Sequence, residues 1–460
     1  MMRIGVDFGT TNSGAAAFDG RRVRLFPIDP VGLASTMIRS TLYVTRDHQV
    51  SIGQEAIDAY YSQNIGRPSK MVRRYVGEIE MTFAELPSFI RDVYVLVDEL
   101  TPGRLLRSLK SELATDYEGT TIFDRYYELE DLVAIYLREI RRRVEEAAGE
   151  QVTGVVLGRP VNFVNSQDAE NERSESGNER AERRLRRAAE MAGFRDVTFE
   201  LEPVAAALHY ELTARTAQNV LVFDFGGGTL DLTVMRVGEP GGRRIFATGG
   251  VGIAGDAFDR RIIEALLLDH FGRGTTWGED ESPFPRQYTD ALLQWQTIPE
   301  LNRPEMLHFL QWAQITGSHP ARVRALESLV VNNYALRLID EVEQAKIALS
   351  SEHFATIHLV DGEEGAGDEI NLWQPITRSQ FEALIAEARR CIEDCLSDTL
   401  ARSGRAVDEI DAVVQTGGSA QIPCFVEMMA HIFGPEKIVA TDAFSSVTSG
   451  LAIRAHGGPG

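Results

Sequence analysis

Two stretches of the chain place carboxylates beside bare backbone. Residues 221–232 read LVFDFGGGTLDL, and residues 4–13 read IGVDFGTTNS. In each, an apolar run ends in Asp-Phe-Gly, at Asp7-Phe8-Gly9 and Asp224-Phe225-Gly226, and threonine follows. Glycine lets a chain turn tightly and lets a ligand come close to the backbone. Successive N–H groups in such a turn make a concave anion site. Asp7, Asp224 and Asp231 are hard oxygen donors of the kind that hold hydrated magnesium. Thr10, Thr11 and Thr229 offer hydroxyls to phosphate or to metal-bound water. Two such turns facing each other would clamp a polyphosphate from both sides and sense whether a third phosphate is present.

A single Asp-Phe-Gly is weak evidence. Protein kinases carry one, but neither a covering glycine loop nor a catalytic His-Arg-Asp segment accompanies it here. The pairing of DFGTTN with DFGGGTLD is far more specific. A third glycine turn, AVVQTGGSAQIP at residues 412–423, leads from a strand pattern through Gly417, Gly418 and Ser419 to a helix start near Pro423. A glycine turn feeding a helix N-terminus suits a nucleotide, and as the third piece in this order it supports an adenosine site.

Short apolar runs predict the strands that carry these turns: 3–8, 152–157, 197–200, 220–225, 231–237 and 412–415. Helical periodicity marks 129–146 and 381–400, and the alternation is an α/β signature. The polar stretch 168–182 reads as an exposed loop running into a helix at 183–192. Residues 271–322 read as an irregular insertion, which Trp277, Trp295 and Trp312 mark as packed. EEGAGD at 363–368 reads as a turn between strands. The two Asp-Phe-Gly units, half a chain apart, predict two related lobes facing each other.

A chain of 460 residues, 43% hydrophobic, has ample material for two or more compact units. Its formal net charge of -21 argues against general attraction to nucleic acid or anionic membranes. The basic runs Arg141–Arg143 and Arg183–Arg187 are flanked by acids and read as solvated helix faces. Cys391, Cys395 and Cys424 form no metal-binding spacing, and a reducing cytoplasm is the simplest setting. The histidines likewise form no ligand spacing. No apolar run is long enough to span a membrane, and the N-terminus lacks the apolar region of a signal peptide.

DFGTTNS, LEPVAAALHY, FDFGGGTLDL, AGDAFDRR, EQAKIALSSE and TGGSAQIP follow one another in the order seen in the nucleotide-binding domain of DnaK-type, seventy-kilodalton heat-shock chaperones. LGRPVNF, AGFRDVTFELEPVAAAL and SSVTSGLA resemble the shorter YegD-type relatives. The resemblance covers nearly the whole chain and implies a two-lobed actin-like ATPase fold, each lobe built on a ribonuclease-H-like sheet, with outer subdomain insertions. It implies lobe I at 1–215, with an outer subdomain at about 41–109, and lobe II at 216–445, with an outer subdomain at about 255–370 that holds the 271–322 insertion. Helix 446–456 would return to lobe I, and no peptide-binding domain follows.

The same resemblance implies ATP or ADP with Mg²⁺ as ligands. It makes Asp7, Asp224 and Asp231 the magnesium carboxylates. Gly9, Thr10, Thr11, Asn12, Gly226, Gly227, Gly228 and Thr229 become phosphate contacts. Glu202 matches the acidic residue near the attacking water, and Gly255 a glycine on the phosphate and ribose side. Glu343, Lys346 and Ser350 match the helix that touches adenosine, with Gly417, Gly418, Ser419 and Gln421 in the third turn. Their i, i+3, i+7 spacing puts Glu343, Lys346 and Ser350 on one helix face, with Leu338, Val342, Ala345 and Leu349 as an apolar stripe. Lys110, in SLKSELA, is the preferred γ-phosphate lysine, with Arg73 or Lys70 as alternatives. The pattern departs at Ile347 and Gln421, where the family has arginines that stack on adenine, and at Ala254 and Phe444. These departures leave ATP against GTP open.

The expected function is slow ATP hydrolysis used as a switch by a chaperone-like protein, with a protein client or co-chaperone as partner. A nucleotide sensor without turnover, a small-molecule kinase of the same superfamily and a filament-forming protein are the competing readings.

Overall fold

The computed structural model describes residues 2–32, 34–67, 70–83, 86–163, 177–214, 216–238, 243–293, 298–361, 369–440 and 445–457. The expected turn at 363–368, Trp295 and Phe444 lie outside these residues, as does the first part of the expected polar loop. The chain forms two compact units. One comprises Met1–Ala59, Arg104–Phe258 and Ile385–Gly460, and the other Tyr60–Gly103 and Asp259–Leu384.

The first unit contains two sheets. Strands β1 (Met2–Phe8), β2 (Asn12–Phe18), β3 (Val23–Leu25), β4 (Met37–Arg39), β5 (Val152–Arg159) and β6 (Asp196–Leu201) form one, in the order β6-β5-β1-β2-β3 with β4 on β2. Strands β7 (Gln218–Phe225), β8 (Leu230–Val237), β9 (Arg244–Val251), β10 (Ala412–Thr416) and β11 (Ile438–Ala440) form the other, in the order β9-β8-β7-β10-β11. Each begins as an antiparallel meander and ends in two parallel strands beside the first. This shared ribonuclease-H-like order is the structural form of the sequence repeat. The first strand of each sheet is central, which buries Ile4, Gly5, Val6 and Phe8 in one and Val220 to Phe225 in the other.

Two helices, Glu202–Glu211 and Ser446–His456, join the sheets through a common core of Val156, Ala205, Val220, Val222 and Leu451. Fully burying a side chain such as Leu451 stabilises by about 2 kcal/mol. Close approach needs small residues. A Cβ at Gly450 would sit 1.7 Å from the Ala205 carbonyl oxygen, and one at Gly5 would sit 2.2 Å from the Ala452 nitrogen. Helix Leu129–Ala148 covers the first sheet with Leu132, Tyr136, Leu137, Ile140 and Val144.

Several sequence expectations need correction. The helix expected at 183–192 begins at Gly177, because Ala181, Leu185 and Ala188 bury one face beneath the charged residues. The helix expected over 381–400 is two helices, Arg378–Leu384 and Ala386–Ser403, broken at Ile385. The arginine runs are not wholly solvated. Arg143 is buried and donates to the Ile28 carbonyl (2.8 Å) and Glu55 (2.7 Å), and Arg184 is buried against the Leu113 carbonyl. The 271–322 region is largely helical, with Pro304–Thr316 and the start of Pro320–Val331. Trp277 packs there on Phe309 and Trp312, with ring centroids 5.0 and 4.8 Å away.

In the second unit, helix Ala335–Ser351 buries Leu338, Val342, Ala345 and Leu349 as the spacing predicts. It packs on the strand Phe354–Val360, whose antiparallel partner is Asn371–Thr377.

Candidate functional site

Each Asp-Phe-Gly turn joins the first two strands of its sheet. β1 delivers Asp7 and Phe8 to the first turn, and β7 delivers Asp224 and Phe225 to the second. The two turns lie face to face within the first unit. A Cβ on Gly227 would stand 2.2 Å from Thr11 Oγ1, and one on Gly228 would stand 3.0 Å from Thr10 Oγ1. A side chain at 227 would therefore displace the hydroxyl of the opposing Thr11.

The second turn is braced from behind. Ser419 Oγ donates to the Gly226 carbonyl (2.7 Å), and the Asp256 N–H donates to the Gly227 carbonyl (2.8 Å). Gly417 has φ of 84°, and a Cβ there would meet the Phe225 carbonyl oxygen at 2.3 Å. The third glycine turn thus packs directly on the second. Gly255, at the start of helix Gly255–Ile262, donates its N–H to the Gly226 carbonyl at 3.4 Å.

The carboxylates gather at the ends of the strands. The β7–β8 register sets Asp224 directly opposite Asp231. Asp231 accepts from the Val161 N–H (2.8 Å) and from Thr229 Oγ1 (2.9 Å). Lys110 sits in the short helix Leu109–Glu112, which follows Ser108 in a left-handed conformation with φ of 56°. The lysine is buried, and its Nζ donates to Glu202 Oε1 at 2.5 Å. Glu202 opens helix Glu202–Glu211, where Pro203 fixes the first turn. A cleft of about 200 Å³ is lined by Thr10, Lys110, Asn162, Thr229, Asp231 and Gly250, among others.

Electrostatics follow from this crowding. Burial, and then the Glu202 charge, push Asp7 and Asp231 up to about 7. Burial, with Glu202, Asp231 and Asp7, pushes Asp224 well above the usual carboxylate range. Burial pulls Lys110 down, but Glu202, Asp7 and Asp231 outweigh it and hold the ammonium above its ordinary value. The site is short of positive charge. Among the described residues no three His, Cys, Asp or Glu side chains converge closely enough to ligate a metal directly. The donor set instead fits magnesium, which keeps several of its waters and takes few protein ligands.

The remaining expected residues are distributed as follows. Gly9 and Asn12 belong to the first turn, where a Cβ on Gly9 would meet the Asn12 carbonyl oxygen at 2.1 Å. Gly418 and Gln421 lie on the short helical turn Gly418–Gln421, both exposed. Glu343, Lys346 and Ser350 lie on helix Ala335–Ser351 of the second unit, where Lys346 donates to Asp259 at 2.6 Å. Ile347 on that helix is exposed. Of the basic candidates, Lys110 lines the cleft, whereas Arg73 and Lys70 belong to the second unit and pair with Glu305 (3.7 Å) and Glu99 (2.5 Å). Sequence reasoning missed Asn162, Phe163 and Gly250 to Gly252 in the cleft wall, and the Val161 N–H that orients Asp231. The string LGRPVNF carried the only signal for the former group.

Comparison with known proteins agrees with this architecture. The profile of the family described as Hsp70 protein matches residues 3–282 and 327–457. The chain is 25% identical over 458 residues to a protein named chaperone protein dnaK from Cyanidioschyzon merolae, covering 98% of this chain and 61% of that protein. It is 26% identical over 386 residues to a chaperone protein DnaK from Thermosipho melanesiensis, covering 81% of this chain and 53% of that protein. The chain thus spans between half and two thirds of the length of these relatives. With the family profile covering most of its length and both sheets in the expected order, the chain belongs to the Hsp70 family.

Proposed function

We propose that this chain binds Mg-ATP in the cleft between the two Asp-Phe-Gly turns and hydrolyses it slowly, with closure around the nucleotide serving as a chaperone-like switch. The observation that carries the reading is the apposition of Thr10 and Thr11 to Gly228 and Gly227. It brings two hydroxyls and a bare backbone turn to one place, beside Lys110 and Asp231.

Asp7, Asp224 and Asp231 would hold a hydrated magnesium ion, which supplies charge neutralisation at the phosphate oxygens when bound. The backbone of Gly9 and of Gly226 to Gly228, with Thr10, Thr11 and Asn12, binds and orients phosphate. Glu202 or Asp224 orients the attacking water. Lys110 and Thr229 stabilise developing charge, which requires Lys110 to exchange Glu202 for a phosphate oxygen. Positioning and electrostatics dominate such chemistry. Gly255, Gly417, Gly418, Ser419 and Gln421 serve the adenosine. Gln421 offers no guanidinium for stacking, so base selectivity is relaxed. The three free thiols fit a reducing, cytoplasmic setting. A protein client or co-chaperone would read the switch.

A second reading, nucleotide sensing without turnover, is favoured by one contact. Lys110 and Glu202 already neutralise each other at 2.5 Å, and a pair that never opens leaves neither group for catalysis. Single-turnover assays with radiolabelled ATP and Mg²⁺ separate the two. Wild type should release phosphate, while Asp224→Asn and Lys110→Ala should bind ATP and lose on the order of 10²–10³ in rate. Binding without cleavage by wild type would leave only the sensor.

A further inference from the structure

Lys110 stands on a helix of a single turn, Leu109–Glu112. One turn fixes several backbone dihedrals for little hydrogen bonding, so it does not persist by itself. Its entry is unfavourable too, because Ser108 is left-handed with φ of 56°, a conformation that side chains resist. Leu109 and Leu113 are buried in the core shared with helix Leu129–Ala148. Apolar burial is non-directional, so it fixes the depth of the turn without fixing its orientation.

Orientation comes from a buried cation. Arg184 belongs to helix Gly177–Met191, in a basic run whose Arg183 and Arg187 are exposed while Arg184 is not. Its Nη1 donates to the carbonyl oxygens of Thr115 (3.1 Å), Leu113 (3.3 Å) and Glu112 (3.4 Å), the residues that close the Lys110 turn. Its Nε faces the buried Glu130 carboxylate at 3.8 Å. A planar guanidinium holds several acceptors in one rigid fork, which an ammonium cannot do. Lys110 and Ser111, just ahead of the clamped carbonyls, both line the cleft.

We propose that Arg184 is a positioning residue for Lys110: it locks the one-turn helix so that the ammonium can leave Glu202 and meet a γ-phosphate oxygen at a fixed place. This inference rests on the reading of Lys110 as the γ-phosphate lysine. The lysine side chain swings on a flexible stem, so the point it reaches is set by the backbone that carries it. A displacement of about 1 Å in such a group costs on the order of 10² in rate. ADP has no γ-phosphate, so a loosened turn should slow turnover and leave ADP binding alone. That split separates positioning of Lys110 from general support of the fold.

The test compares the full chain with Arg184→Lys and with the double variant Arg184→Met, Glu130→Gln, which removes both buried charges together so that neither is stranded. Single-turnover hydrolysis of radiolabelled Mg-ATP and calorimetric affinity for Mg-ADP are read on each. The double variant should lose roughly tenfold to a hundredfold in rate, and Arg184→Lys should recover part of that loss. ADP affinity should stay within about twofold of wild type in both, as for an uncoupled site. In a Lys110→Ala background either change should alter the rate by less than about twofold, because the group it positions is gone. Full rates in both variants, a parallel loss of ADP affinity, or an equal further loss in the Lys110→Ala background would each overturn the proposal. If the double variant does not fold, Arg184→Lys carries the same three readouts. A wild type that binds Mg-ATP without cleaving it, or whose rate is untouched by Lys110→Ala, would instead overturn the reading of Lys110 beneath it.

Discussion

The two Asp-Phe-Gly turns hold the same place in sheets of the same strand order, yet they are built differently. Opposite Asp7, β2 carries Gly14; opposite Asp224, β8 carries Asp231. The glycine follows from packing, since a Cβ at Gly14 would stand 2.6 Å from Thr448 Oγ1 on helix Ser446–His456. Asp231 instead reaches the Val161 N–H and Thr229. The first turn therefore contributes one carboxylate and two threonine hydroxyls, and the second contributes two carboxylates, bare backbone and the Thr229 hydroxyl. A duplicated scaffold has become a complementary pair: threonines on one side face glycines on the other.

The largest effect that sharpens this contrast concerns pH. Without magnesium, burial and the Glu202 charge hold Asp7 and Asp231 at about 7, well above the ordinary aspartate range. A carboxyl raised on folding adds stability that is complete below the unfolded value and is lost as pH climbs through the folded one. Without magnesium the protein should therefore lose stability between about pH 4 and pH 7, on the order of a few kcal/mol, and level off above that. Calorimetric melting across that range should show the fall. Magnesium with nucleotide should offset it at pH 8, and Asp7→Asn and Asp231→Asn should each flatten the profile.

The next effect compares equivalent glycines. A Cβ at Gly9 would meet the backbone oxygen of Asn12 at 2.1 Å, whereas the nearest atom to one at Gly226 is 3.9 Å away. Gly9→Ala should cost about 1–3 kcal/mol through overpacking, read as a lower denaturant midpoint. Smaller still is Gly227→Ala, which displaces the Thr11 hydroxyl and should weaken Mg-ATP binding about tenfold, one interaction to a charged group. The loss should not add to that of Thr11→Ala, because both remove one contact. A fully additive double variant would break the face-to-face arrangement. The smallest effect is Gly226→Ala, expected within about 0.5 kcal/mol of wild type.

Both turns were legible in the sequence because a hairpin turn is written in adjacent residues. Asp, Phe, Gly and Thr in each copy announce a strand end, a tight turn and a hydroxyl. The cleft wall was not legible for the opposite reason. Gly250 reaches Asp231 across β8 and β9, and Val161 reaches it from the bend that follows β5. Such contacts are set by topology and leave no local spacing. The break at Ile385 was hidden because Phe381, Ile385 and Ile392 are all buried, so the apolar spacing continues through it. The early start of helix Gly177–Met191 was hidden by its charge, with Ala181 the first buried residue beneath the acids and arginines.

The most direct test of the central claim, that two opposed turns read a polyphosphate, is the affinity of the wild-type chain for ATP, ADP and AMP in saturating magnesium by calorimetry. ATP and ADP should bind and AMP should be weaker by at least about a hundredfold, two charge-assisted contacts or more. Equal affinity for AMP and ATP would mean that the turns do not hold the phosphates and would contradict the account.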